Sequence, residues 1–368
     1  MKLYSWQQKD WPHFTYSLLN IEEGLFVFAE KIGKVTGILN ALPENTKVET
    51  IINMMVSEAI KTSEIEGEYL SRKDVMSSIK NNLGLNHNYE KVKSKQAEGI
   101  GELMIDVRNT YREKLSQEKL FAWHRMLLKG NTDINVGTWR DHEEPMQIVS
   151  GPLGKQRVHY EAPPSDRMPQ EMERFITWFN ETGPGGKEEI KKAPIRSAIA
   201  HLYFEAIHPF EDGNGRIGRA IAEKALSQGT GRPVLLSLSK TIEADKNAYY
   251  DALGKAQRSN EITEWINYFV KTILAAQTEA ENQIDFTLKK VKFLDRFKDR
   301  LSERQLKVIR RMLDEGPSGF DGGINASKYG SITKVSKATA TRDLQELLEA
   351  KVLVVAGAGR NTRYNINI

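Results

Sequence analysis

The sequence of 368 residues predicts a mainly α-helical protein with one small β-hairpin, followed by a C-terminal module of a different pattern. Three observations support this. Apolar residues recur at helical spacing over long stretches, as in Ile51, Ile52, Met55, Val56 and Ala59. Between Gly137 and Pro164 the periodicity changes to short apolar runs on either side of a turn. Beyond Leu301 the order reads helix, loop, helical pair, strand, turn, strand.

Taken in order, residues 1–45 form an aromatic-rich extension with Trp6, Trp11, Pro12, Phe14 and Tyr16. Most of 47–130 is expected to be helical, apart from a loop at Asn81 to Tyr89 that is rich in Asn and contains Gly84. Met146, Ile148 and Val149, then Ser150-Gly151-Pro152-Leu153-Gly154, then Val158 and Tyr160, predict a hairpin over 146–160. Helices follow at Met168 to Asn180 and at Ile195 to Ile207. Pro209 stops the second near His208, because proline lacks the N–H and disfavours helix in the residue before it. Further helices are expected from Arg216 to Leu226, from Lys246 to Ala256, and from Glu261 to about Phe297 with breaks. In the tail, Glu303 to Glu315 is helical, and Ile332 to Lys351 holds two short helical stretches around Ser336-Lys337-Ala338. Val352 to Val355 and Thr362 to Ile366 flank a turn. The domain expectation is an extension (1–45), a core (46–285), a helical linker (286–300) and a C-terminal domain (301–368).

Composition narrows the class. Hydrophobic content of 39% and charged content of 28% fall in the globular range. No apolar run approaches the roughly 20 residues that span a bilayer, so no membrane partner is expected. The N-terminus lacks the basic-then-apolar order of a signal peptide. There is no cysteine, which removes disulfides and thiolate metal sites. Together these point to a cytoplasmic location. From Leu301 to Ile368 there are 11 Lys/Arg against 7 Asp/Glu, so the tail carries the whole net charge of +4. That makes the tail the candidate for contact with a polyanion.

Residues 208–219 read HPFEDGNGRIGR and concentrate the chemistry. Gly213-Asn214-Gly215 can take left-handed backbone angles and turn N–H groups toward an anion. The helix that follows adds the partial positive charge of its N-terminus. Arg216 and Arg219, three apart, share one side of that helix and can grip phosphate oxygens. Asp212 suits a divalent cation arriving with a polyphosphate. His208 can take a proton near neutral pH. Together they suggest attack on a nucleotide phosphate. Phe210 is read as a core anchor for the loop, and His124, His142, His159 and His201 as structural.

HPFEDGNGRIGR resembles the Fic signature His-Pro-Phe-x-Asp/Glu-Gly-Asn-Gly-Arg-x-x-Arg at every fixed position, and the resemblance runs over roughly 45–280. It implies a Fic helical core with a β-hairpin flap and a protein adenylyltransferase that moves AMP from ATP to a Ser, Thr or Tyr hydroxyl of a target protein. In that reading His208 is the general base and Asp212 the Mg²⁺ ligand. Gly213, Asn214 and Gly215 cradle the phosphates, Arg216 holds the β-phosphate and Arg219 the γ-phosphate. A phosphorylating branch of the family has Lys at the position of Gly215, so glycine there favours AMP transfer. The cofactors implied are ATP and Mg²⁺.

Thr62-Ser63-Glu64-Ile65-Glu66-Gly67 resembles the family's inhibitory motif Ser/Thr-x-x-x-Glu-Gly/Asn. The resemblance implies that Glu66 pairs with Arg219 and blocks the γ-phosphate. It also implies that the 146–160 flap receives the target backbone as an added strand, and that Tyr249 and Tyr250 lie near the adenine. An aromatic pair of this kind is also ordinary core. The tail has a winged-helix outline: Ser336 to Leu344 resembles a recognition helix, Lys334, Lys337 and Arg342 suit phosphates, and Arg360 and Arg363 flank the wing turn. DNA is one expected partner of this domain; docking of protein, including a homodimer, is the other. The competing functions are an enzyme of the same fold that removes AMP and a DNA-binding regulator that only senses nucleotide.

Overall fold

The computed structural model describes the chain except residues 1, 2, 20, 87, 151–156, 318, 321 and 358–361. Backbone contacts divide it into two compact units. The first comprises Met1–Lys34 and Ile51–Ala280, the second Val35–Thr50 and Glu281–Ile368. No helix among the described residues is long and apolar enough to cross a membrane.

The first unit is helical, with α3 (Arg72–Asn82), α4 (Lys95–Asn109), α5 (Gln117–Leu127), α6 (Met168–Glu181), α7 (Ala193–Ile207), α8 (Asn214–Thr230), α9 (Leu238–Ala244) and α10 (Lys246–Ala256). Parts of α1 (Glu22–Ala41), α2 (Glu44–Ile65) and α11 (Thr263–Phe297) belong to each unit. Its only described strands, β1 (Gln147–Ser150) and β2 (Arg157–Glu161), pair antiparallel with an irregularity between Ile148 and Val149. The hairpin expected over 146–160 is therefore present at both strands, while its turn lies outside the described residues.

Helix α7 is the axis of this unit, with all its residues from Ala193 to Ile207 buried. With every face buried, its few polar side chains must find partners inside the protein, and α7 packs chiefly against α8. Pro194 sits at its start, where the missing N–H costs nothing. Buried Arg196 ties three helices together, donating to the carbonyls of Phe179 (2.7 Å) and Ala225 (3.2 Å) and to the Thr182 hydroxyl (3.2 Å). The start of the chain is not loose. Trp11 donates to buried Glu171 (3.0 Å), Thr15 bridges to Glu261, and Trp6 donates to the Glu161 carbonyl at the end of β2 (2.8 Å).

The second unit contains α12 (Glu303–Leu313), α13 (Ala326–Thr333), α14 (Lys337–Glu349) and the hairpin β3 (Leu353–Ala356) with β4 (Arg363–Ile366). Its core joins Val308, Ile309, Met312, Tyr329, Leu344, Leu347 and Val352 with Phe293 and Phe297 of α11. Asp343, buried on α14, accepts two bonds from Arg304 (2.6 and 2.9 Å) and one from the Tyr329 hydroxyl (2.7 Å). That network holds the three helices in register.

Several boundaries differ from the sequence expectation. Residues 22–41 of the extension form α1, which runs on from its aromatic start. α11 runs unbroken, because nothing in it lacks an N–H or ends the periodicity. α8 starts at Asn214, two residues before Arg216, and continues to Thr230. The first helix of the tail pair occupies 326–333 and so begins ahead of Ile332; Asn325 caps it by accepting from the Lys328 N–H. The pair is joined through Lys334, which takes a left-handed φ of 62°.

Helices α4 and α5 cross so closely at Gly99 that a Cβ there would stand 1.8 Å from the Met126 carbonyl oxygen. Gly99→Ala is expected to destabilise the protein by about 1–3 kcal/mol through overpacking, read as a lower thermal midpoint. An unchanged midpoint would show that the two helices can part at no cost.

Candidate active site

The site forms where α7 stops. His208 takes a left-handed conformation (φ 52°, ψ 60°), which is uncommon for a residue with a Cβ. Pro209 has no N–H to continue the helix, so the chain turns away. Two devices hold the turn. Asn214 staples it from within: its side-chain oxygen accepts from the Phe210 N–H (2.9 Å) and its amide donates to the Phe210 carbonyl (2.7 Å). Arg140 clamps it from outside, donating from Nε to the His208 carbonyl (2.8 Å) and from NH2 to the Pro163 carbonyl (2.5 Å).

Phe210 is fully buried, as an anchor should be, and stacks on the His124 ring at 4.1 Å and 20°. The His124 tautomer follows from its partners. The Gly137 N–H donates to Nδ1 (2.8 Å), so the proton sits on Nε2, which donates to the Asp212 carbonyl (3.2 Å). Burial, as the largest effect, lowers the His124 pKa to about 4 and keeps the ring neutral. His124 is thus structural, and what it supports is the loop that follows His208.

Of Gly213-Asn214-Gly215, only Gly213 has a left-handed φ (84°); Asn214 and Gly215 are the first residues of α8. The feature expected to meet an anion is therefore a helix N-terminus. The N–H groups of Asn214, Gly215 and Arg216 have no intrahelical acceptor there.

Both arginines are buried and both are paired with carboxylates. Arg216 donates to Glu68 (2.6 Å) and Asp212 (3.1 Å). Arg219 donates from Nε to the Thr62 hydroxyl (2.7 Å) and from NH2 to the Thr62 carbonyl (2.9 Å) and Glu66 (2.8 Å). Burial opposes the Arg219 charge, and the neighbouring Glu66 carboxylate more than offsets it, so the guanidinium pKa rises. The Glu66 carboxylate also covers the glycine: a Cβ at Gly215 would fall 2.3 Å from its Oε1. Gly67, in a left-handed conformation (φ 84°), and Lys246, donating to the Ile65 carbonyl (2.5 Å), close the end of α2 that presents Glu66.

A cleft of about 1030 Å³ opens beside these groups. His208, Gly215, Arg219, Glu66, Tyr249 and Tyr250 line it, as do Ile148, Val149 and Val158 of the hairpin. Asp212, Gly213, Asn214 and Arg216 stand in the adjoining turn and are not among its lining residues. Tyr249 is buried and its hydroxyl bonds His201 Nε2 (2.8 Å), so only an edge reaches the cleft; Tyr250 is 41% exposed. Among the described residues no group of three or more His, Asp and Glu is arranged to hold a metal ion. Asp212 offers one carboxylate, half-exposed, with one oxygen on the Gly213 N–H (2.6 Å) and the other on Arg216.

Sequence reasoning missed Arg140, Glu68 and Glu205, and gave Thr62 a place in a motif but not its bonds to Arg219. Glu205 is buried on α7 one turn before His208 and also lines the cleft. Its spacing of three from the histidine was the available signal. Burial, as the largest effect, raises its pKa to about 8.

The fold and site define a helical protein with a cleft beside a histidine turn, a helix N-terminus and buried arginines. Residues 114–226 match the Fic/DOC family, and the chain carries a Fic/DOC domain. Residues 4–85 match the Domain of unknown function (DUF4172). A probable protein adenylyltransferase of Aquifex aeolicus is 24% identical over 167 residues, covering 43% of this chain and 47% of that protein. The protein adenylyltransferase Fic of Nematostella vectensis is 24% identical over 165 residues, covering 44% and 34%. The chain thus spans less than half the length of these curated relatives. Among solved structures, a Fic family protein of Desulfovibrio desulfuricans superposes with a TM-score of 0.54 at 20% identity, covering 96% of this chain and 98% of that one. A Fic domain containing signaling protein of Bacteroides thetaiotaomicron gives 0.52 at 17% identity, covering 73% and 97%. These likenesses show the fold.

Burial, then the Arg140 guanidinium, lowers the His208 pKa to about 4, against a usual value of 6.5. The ring should therefore be neutral and able to accept a proton throughout the range above pH 5. Histidine NMR titration of the free protein is expected to place the His208 midpoint near 4. A midpoint near 6.5 would show the ring to be solvated and the turn open.

Proposed function

We propose that this protein is an adenylyltransferase that moves AMP from ATP to a hydroxyl of a target protein. The observation that carries the reading is that one cleft collects His208, the Gly215 end of α8 and Arg219. ATP places its phosphates at that helix N-terminus and its adenine toward Tyr250. The target hydroxyl, lying against β1 and β2, loses its proton to His208 as its oxygen attacks the α-phosphorus. The bond from the α-phosphorus to the bridging oxygen breaks, and pyrophosphate departs with those electrons. Exposed Val149 and Val158 and the paired hairpin strands suit an added target strand. A single half-exposed carboxylate fits a Mg²⁺ that brings most of its oxygens from phosphate and water. Asp212 would hold such an ion, which would neutralise phosphate charge when bound.

In this reading Glu66 is a brake. Its carboxylate satisfies Arg219 and covers Gly215, so it occupies the ground a terminal phosphate needs. Carboxylate and phosphate compete for one guanidinium, and the balance sets activity. Incubation with α-³²P-ATP is expected to leave label on protein, and γ-³²P-ATP to leave none. Glu66→Gly should raise α-label incorporation roughly 10–100-fold, the factor for a charge-assisted bond of about 1.5–3 kcal/mol. Retention of γ-label would replace AMP transfer by phosphorylation, and an unaltered rate in the variant would remove the brake.

A second reading concerns the C-terminal unit, which we propose binds duplex DNA. Charge is split along α14 and its approach: Lys334, Lys337 and Arg342 are exposed at the N-terminal end, Glu346 and Glu349 at the other. Recognition helices meet the groove by their N-terminal residues, so that polarity suits a duplex. Arg363 of β4 donates to the Gly322 carbonyl (2.6 Å), and Arg360 lies outside the described residues. Fluorescence anisotropy should show duplex binding by the full chain at low salt that falls steeply with salt, with Lys337→Ala and Arg342→Ala each weakening it. No binding at low salt would assign the unit to protein docking.

A further inference from the structure

One nitrogen of His208 has no assigned role. Nδ1 is buried without a hydrogen-bond partner and faces Glu205, whose Oε2 is 3.8 Å away. The Glu205 side chain is 4% exposed, and its Oε1 also lacks a partner. The carboxyl oxygen nearest Nδ1 is Oε2, while Oε1 lies on the Gly218 side with the equally unpartnered His201 Nδ1; buried polar atoms left open are costly unless a pair closes. The other acceptor near the His208 ring is the Glu205 backbone carbonyl, which also receives the Gln257 side-chain amide at 3.3 Å. Helix α8 keeps the carboxyl in place. A Cβ at Gly218 would fall 2.3 Å from Glu205 Oε1, so glycine is what makes room for it.

We propose that Glu205 is the positioning residue of His208: its carboxyl oxygen accepts Nδ1–H and thereby leaves Nε2 unprotonated as the base for the target hydroxyl. This rests on the AMP-transfer reading. The 3.8 Å gap closes by about 1 Å to reach hydrogen-bond distance. During the reaction the hydroxyl proton goes to Nε2, Nδ1 keeps its own, and the imidazolium that forms lies against Glu205. The groups that face this carboxyl are His208 and His201 of α7, Arg219 of α8, Glu66 beyond α2, Tyr160 of β2 and Tyr249 of α10. With a pKa of about 8 the carboxyl is mostly protonated at neutral pH. It still accepts through its carbonyl oxygen and keeps its own proton through the step. The same logic of a carboxyl fixing an imidazole tautomer operates in hydrolytic triads.

The test uses the full chain labelled with ¹⁵N-histidine, with His208→Ala identifying the His208 signals. Wild-type His208 at pH 7 is expected to show Nδ1 protonated and Nε2 unprotonated. Glu205→Leu should lose that signature and lower kcat roughly 10–100-fold with the KM for ATP within about threefold. Glu205→Gln, whose amide oxygen can still accept, should keep the signature and recover most of the lost rate. A wild-type spectrum with Nε2 protonated overturns the proposal, and so does a Leu variant with the wild-type signature, since the backbone carbonyl would then be the acceptor. If the Leu variant does not fold, the wild-type and Gln spectra decide. The reading beneath it fails separately: AMP transfer undiminished in His208→Ala removes His208 as base, whatever the spectra show.

Discussion

The site depends on one constraint: a left-handed residue at the end of a fully buried helix. His208 can hold φ 52° only because its surroundings over-determine it. Asn214 ties the loop to itself, Arg140 takes the His208 carbonyl, and Phe210 locks into a core with His124, Trp139 and Phe204. Each support comes from a different part of the chain. The imidazole consequently faces the cleft, and the next helix begins with its N–H groups beside it.

Electrostatics set the resting state of that cleft. Two buried guanidinium groups require partners, because an unpaired buried charge is strongly destabilising. Glu66 and Thr62 satisfy Arg219, while Glu68 and Asp212 satisfy Arg216. All four acceptors precede or adjoin the helix that presents the arginines. His208 and Glu205, by contrast, are buried without full partners.

The second unit follows other rules. It is small, its apolar core draws on two phenylalanines of α11, and the buried Asp343 network fixes its three helices. Its exposed charge is ordered along α14 rather than scattered.

Local rules acting within a few residues were readable from the sequence. Proline 209 had to stop a helix, the helical periods had to bury one face, and HPFEDGNGRIGR had to place a base, a carboxylate and two arginines near a helix start. The resemblance of the segment at Thr62 pointed to Glu66 as the partner of Arg219, and the distance of 2.8 Å agrees. Other features were decided by tertiary structure alone, because they are meetings of distant segments that no spacing encodes. Arg140 reaches a carbonyl 68 positions away, His124 supports a loop 88 positions on, and Thr62 bonds Arg219 across 157. Whether Asn214 would serve a phosphate or staple its own loop, and whether Glu205 would face solvent or His208, likewise depended on burial. Sequence specifies which groups are present and where helices must break; only packing determines which buried polar atoms are left to find each other.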